Sequence, residues 1–231
     1  MYKVTRIIQK NISPEDFTCK NNAFFRINED IVQGFTVKRK HTPNGFVYTI
    51  HFTIYPLCYP DALFYKFEFE GQDIGFLMSP ICYWPFDAVS AFSFQYEEYV
   101  QELLQALRAY LFPYFKKYHN CKSISDGITD VNGINAFSLE AAYYHLRAGK
   151  REAAISGVRN LQKLRKEAAE KNARDGIYPA NPSSGAAIDE KLRTLYDFFS
   201  FASEQEIQEY ICENERRATG FLQKSADTLR E

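Results

Sequence analysis

Ten consecutive residues, Phe46 to Tyr55, alternate without a break. Phe46, Tyr48, Ile50, Phe52 and Ile54 fall on one side, and Val47, Thr49, His51, Thr53 and Tyr55 on the other. A period of two sustained this long is a strand with one buried face, because helical geometry scatters such a stripe around its circumference. Such a strand needs partners for its backbone groups and an apolar cover for one face. The rest of the chain must supply both.

Partner strands are legible on either side. Ile31 to Arg39 precedes it, with Ile31, Phe35 and Val37 on one side. The stretch between, Lys40 to Gly45, contains Pro43-Asn44-Gly45 and reads as a hairpin loop. Phe24 to Asn28 is an earlier strand, followed by a Glu29-Asp30 turn. Downstream, Phe64 to Glu70 reads as a fourth strand, Gly71-Gln72-Asp73 as a turn and Ile74 to Met78 as a fifth strand. Sequential hairpins imply an antiparallel meander of four or five strands.

The cover is helical. From Glu97 to Phe112, Val100, Leu103, Leu104, Leu107 and Leu111 repeat at helical spacing, and Pro113 is expected to end or kink that helix. Tyr2 to Lys10 is a shorter helix at the start. Beyond, Ser138 caps a helix from Leu139 to Ala148, Gly149 stops it, and Lys150 to Arg174 forms the next with Ala154, Val158, Leu161, Leu164 and Ala168 inward. Asp175 to Ala187 carries Gly and Pro and reads as a loop. Two more helices span about Asp189 to Phe201 and Glu204 to Ser225, with Ser203 and Glu206 at capping-box spacing. The segment from Ala141 to Ala154 looks like a single helical hairpin rather than one of a series of repeats. Strands first and helices later define an α+β fold: an antiparallel sheet packed by helices over residues 1–130, then a helical part over 131–231 packed on it.

Charge and cysteines narrow the function. With 28 basic and 29 acidic residues the net charge is −1, which argues against a general nucleic-acid or anionic-membrane binder. Apolar runs are too short to cross a bilayer, and no apolar stretch of a secretory signal follows Met1. The 5 cysteines, Cys19, Cys58, Cys82, Cys121 and Cys212, are odd in number, widely spaced and without a C-x-x-C, so they read as core thiols of a cytoplasmic protein. No His pairing or Cys cluster has metal-ligand spacing, and no Gly-rich phosphate loop occurs, so neither metal nor cofactor is expected. Glu29-Asp30 and Glu97-Glu98 are adjacent pairs whose side chains diverge, and neither makes an acid/base dyad.

Two candidate sites stand out. One is the second face of the sheet, where Lys38, Thr49, His51 and Lys66 form a mixed-charge platform for a protein partner, unless the C-terminal helices cover it. The other is the near repeat Pro56-Leu57-Cys58-Tyr59-Pro60 and Pro80-Ile81-Cys82-Tyr83-Trp84-Pro85. There Tyr59, Tyr83 and Trp84 could line an aromatic pocket for a small molecule, or simply close the ends of strands.

Three stretches carry a family resemblance. They are Phe24 to Asn28 with Ile31 to Val37; Tyr48 to Pro56; and Leu111 to Tyr118 with Ser123 to Ile128. Over about residues 1–130 the chain resembles domain-of-unknown-function family 4304, from bacteria. The resemblance implies a compact α+β domain and carries no catalytic residues. The functional expectation is therefore a non-enzymatic intracellular binding module, most plausibly for another protein, with toxin neutralisation or defence as its narrower form. The alternative is a small-molecule-binding protein or enzyme with its pocket near Cys58 and Trp84, and a homo-oligomer is a third reading.

Overall fold

The computed structural model describes residues 2–12, 15–43, 45–60, 69, 71–78, 96–128, 138–176 and 182–227. Five antiparallel strands lie in sequence order: β1 (Thr18–Lys20), β2 (Ala23–Asn28), β3 (Ile31–Thr42), β4 (Gly45–Pro56) and β5 (Gln72–Asp73). Around the sheet are α1 (Lys3–Asn11), α2 (Gly75–Met78), α3 (Tyr96–Ala106), α4 (Phe112–Lys117) and α5 (Cys121–Asp126). The helical part comprises α6 (Leu139–Arg147), α7 (Arg151–Arg174), α8 (Pro182–Phe201) and α9 (Glu204–Asp227). The α+β class, the antiparallel sheet and the C-terminal helical part all hold.

The centre of the sheet is the β3–β4 hairpin, with Phe35 opposite Phe52. Its strands run further than the residues suggested, pairing to Thr42 opposite Gly45. The ladder extends through Lys40 and His41 because the ring of His41 packs edge-on to Phe46 at 4.3 Å. Gly45 takes a φ of +136°, open to glycine and strained for other residues. The Glu29-Asp30 turn joins β2 to β3 as expected, with Glu29 at φ +50°.

The alternation of β4 sorts into two cores. Tyr48, Ile50, Phe52 and Ile54 bury against α1 and α3, together with Phe24, Phe35 and Val37. On the opposite face Phe25, Val32 and Tyr55 join Leu57, Cys58 and Phe69 in a second core built with α6 to α9. The C-terminal helices thus cover part of the face that the sequence left open. The remainder, around Lys38, Thr49 and His51, is half-buried.

Several local expectations differ. Gln72–Asp73 is a strand, not a turn, and Gly75–Met78 is helical, not a fifth strand. The Asp73 carboxylate accepts from the Gly75 N–H at 2.7 Å, which turns the chain into a helical start. The short apolar run suits either structure, so the side-chain bond decides. β1 was not foreseen; three residues carry too little periodicity. The strand expected over Phe64 to Glu70 lies outside the described residues, except for Phe69, which is buried.

Helix α3 does not stop at Pro113. A π-helical turn over Leu107–Leu111 follows it, and α4 continues with Pro113 in its first turn. The wider turn lets the helix pass a residue that has no N–H to donate. Ser138 caps α6 and Gly149 ends it at φ +74°, as the sequence indicated. Along α7 only Ala154, Ile155 and Val158 are buried; Leu164 and Ala168, expected inward, are exposed. Helix α8 begins at Pro182, inside the stretch read as a loop, because proline is well placed at a first helical position. At the start of α9 the reciprocal bonds of Ser203 and Glu206 are both present.

Candidate functional site

Three of the sequence candidates lie together on the sheet. Lys38 and Thr49 are opposite each other in the β3–β4 ladder, and His51 is two pairs further on, opposite Thr36. His51 also faces β5, and its Nε2 stands 3.6 Å from the Asp73 carboxylate. Lys66, Tyr83 and Trp84 lie outside the described residues.

Tyr59 packs into the second core, tilted against Tyr143 at 4.9 Å, and Cys58 beside it is wholly buried. Burial pushes the Cys58 thiol well above its ordinary range, and does the same to Cys121. Half-buried Cys19 is raised to about 11, again chiefly by burial. These thiols are protonated at neutral pH and lack the activation that nucleophilic chemistry needs. Among the described residues no group of three His, Cys, Asp or Glu side chains is placed to hold a metal ion. Nor is any described helix long and apolar enough to cross a membrane.

Two constellations were not visible in the sequence. In the first, Ser125 Oγ lies 2.7 Å from His145 Nδ1. The pair resembles part of a nucleophilic dyad, but Ser125 is buried and sits in the last turn of the six-residue α5. That end presents carbonyls, not the N–H donors that stabilise an oxyanion. The pair is better read as a histidine satisfied in place. Burial, then the neighbouring Lys150 charge, lowers the His145 pKa below 6.5. The fold therefore favours the neutral ring. That contribution is complete above pH 6.5 and is lost as pH falls through the folded-state value. Between pH 7 and pH 5 the melting temperature of the wild type should fall further than that of His145→Gln. Parallel curves would remove His145 as a source of acid sensitivity.

The second is a charge hub at the β2–β3 turn. Arg147 Nε is 2.6 Å from Glu215 Oε1 and 3.5 Å from Asp30 Oδ2. Asp30 Oδ1 accepts from the Cys121 N–H at 2.8 Å. One guanidinium thereby ties the turn, α5, α6 and α9 together. Arg147→Met leaves two largely buried carboxylates facing each other. It should cost about 2 kcal/mol in urea unfolding, at the low end for a buried pair because the arginine is partly solvated. A change below about 0.5 kcal/mol would mean that the hub contributes nothing net.

A groove of about 1070 Å³ runs along the outer side of β2, beyond the end of β1. Phe25, Arg26, Ile27 and Asn28 form its floor. One wall is Arg108, Phe112, Pro113 and Lys116, from the π turn and α4; the other is Leu222 and Gln223 of α9. Glu15 and Asp16 close one end, and His119 stands near the α4 wall. Arg26 is held in place: its Nε donates to Gln33 Oε1 at 2.9 Å, one terminal nitrogen donates to the Glu15 carbonyl at 3.1 Å, and its plane lies over the Phe17 ring at 4.7 Å. Arg108 donates to the Asn11 carbonyl at 3.2 Å, a contact that leaves its charge uncancelled. Lys116 is exposed. The sequence carried no signal for this groove, because its floor and walls come from segments about 80 to 200 residues apart.

Compared with known protein families, with curated proteins and with solved structures, the chain matches none.

Proposed function

We propose that the chain is a non-enzymatic binding module for another protein, working in a bacterial cytoplasm, and that the β2 groove is its docking site. Membership of domain-of-unknown-function family 4304 and a role in toxin neutralisation or defence belong to the same proposal. The observation that supports it most is the groove itself: open, with Phe25 and Ile27 among its floor residues and Arg108 and Lys116 along one wall. Protein partners bind surfaces of this kind, with an apolar centre and a charged rim. The small-molecule alternative has less support, since Cys58 and Tyr59 are packed into a filled core.

The test is a tagged pull-down from the native host, with wild type, Arg108→Glu/Lys116→Glu and Lys38→Glu/His51→Glu in parallel. A stoichiometric protein lost only with the first variant supports the groove. Loss only with the second moves the site to the sheet face. No stoichiometric protein with any form overturns the reading.

A further inference from the structure

We infer that the β2 groove takes an extended acidic segment of its protein partner as an added strand, an inference that rests on the binding-module reading above. The backbone supplies the first argument. β1 pairs with β2 only from Lys20 opposite Ala23 to Thr18 opposite Phe25. Asp16 then takes a φ of +56° and turns the chain off the ladder. Arg26, Ile27 and Asn28 run on beyond it, paired to β3 on one side and to no strand among the described residues on the other.

The phase of the ladder says which groups are left over. Val37 N–H donates to Asn22 O at 2.9 Å, and Ala23 lies opposite Thr36. In an antiparallel pair, hydrogen-bonded positions recur every second residue, so Phe24, Arg26 and Asn28 bond to β3. Ala23, Phe25 and Ile27 point their N–H and C=O the other way. The β3–β4 ladder agrees: Leu57 N–H donates to Asp30 O at 2.9 Å, which turns Val32, the partner of Ile27, toward β4. The N–H and C=O of Ile27 therefore face the groove, and Ile27 is 37% exposed. An incoming strand continues the line of β1 and bonds to both groups, the mode of strand addition at a sheet edge.

The two walls specify the side chains. Arg26 lies on the α4 side of the sheet, with Arg108 and Lys116. Phe25 and Ile27 lie on the α9 side, with Leu222. A strand between them presents successive residues alternately to each wall. Carboxylates would meet the three cations, and aliphatic side chains would meet Ile27 and Leu222. Glu15, 3.6 Å from Arg26, offsets one cation, and exposed Asp16 sits at the end of the groove. Arg108 and Lys116 are thus the charges that select an acidic partner. Only one residue offers its backbone, so side-chain complementarity carries most of the selectivity.

The full chain is panned against a displayed library of random seven-residue peptides, and enriched peptides are titrated with wild type, Ile27→Pro and Arg108→Glu/Lys116→Glu. Proline at an outward-facing edge position removes the donor and leaves the β3 ladder bonds in place. The expected result is enrichment of peptides with Asp or Glu alternating with Val, Ile or Leu, and weakening by at least about tenfold in both variants. If Ile27→Pro fails to fold, charge reversal still decides, since it must shift enrichment from acidic toward basic peptides. Enrichment of neutral or basic peptides by the wild type overturns the inference, as does acidic enrichment that neither variant alters. Should the library yield nothing while the pull-down gives a groove-dependent partner, strand addition falls and the binding module stands. If both yield nothing, both fall.

Discussion

Gly34→Ala will destabilise the protein by about 3 kcal/mol, at the upper end of overpacking effects, and almost none of that loss will remain in a Phe69→Ala background. Gly34 lies within β3, between Phe25 of β2 and Thr53 of β4. A methyl group built there would overlap the Phe69 ring at Cδ1 and Cγ. The ring therefore has to move. It is wholly buried, stacked near Phe25 at 6.0 Å and beside Tyr55 at 6.4 Å, with little room to do so. Phe69→Ala alone should cost about 3–5 kcal/mol by leaving a void. The double variant places its new methyl into that void, so its loss should be clearly smaller than the sum of the two. Urea unfolding of the four proteins measures the coupling. Additive losses would mean that the Phe69 contact is not what requires glycine at position 34.

Gln33→Leu is the second large effect, about 3 kcal/mol. Gln33 is fully buried and spends every polar atom: Nε2 donates to Phe115 O at 2.6 Å and to Tyr118 O at 3.0 Å, while Oε1 accepts from Arg26 Nε. Both carbonyls lie at the end of α4, where the helix provides no further N–H groups. Leucine fills a similar volume but strands two buried acceptors, at about 1–3 kcal/mol each. It also releases Arg26 from its alignment in the groove. The expected result is a lower urea midpoint with an unchanged slope, and weaker binding of acidic peptides. A loss under about 0.5 kcal/mol would mean that solvent reaches those carbonyls in the folded protein.

These residues mark where reading a sequence stops. Gln33 looks like an ordinary polar residue in a strand, and Gly34 like a weak point in one. Their roles come from Phe115, 82 residues away, and from Phe69, on a separate segment. The Asp30–Arg147–Glu215 hub is of the same kind: a turn residue, a helix C-terminal arginine and a mid-helix glutamate that nothing local connects. The β2 groove likewise depends on how far β1 runs, and β1 ends because Asp16 adopts a left-handed conformation that composition does not announce.

What the sequence determined by itself is local. The alternation over Phe46 to Tyr55 specified a strand and its buried face; Glu29-Asp30 and Gly149 specified turns; Ser138 and the Ser203/Glu206 pair specified helix starts. In each case the deciding interaction spans only a few residues, so it is written in consecutive positions. Tertiary structure decided the rest: which part of the second sheet face the C-terminal helices cover, why the helix passes Pro113, and where β2 runs beyond the end of β1. Those outcomes depend on surfaces that meet only after the chain has folded, and periodicity carries no record of which surface meets which.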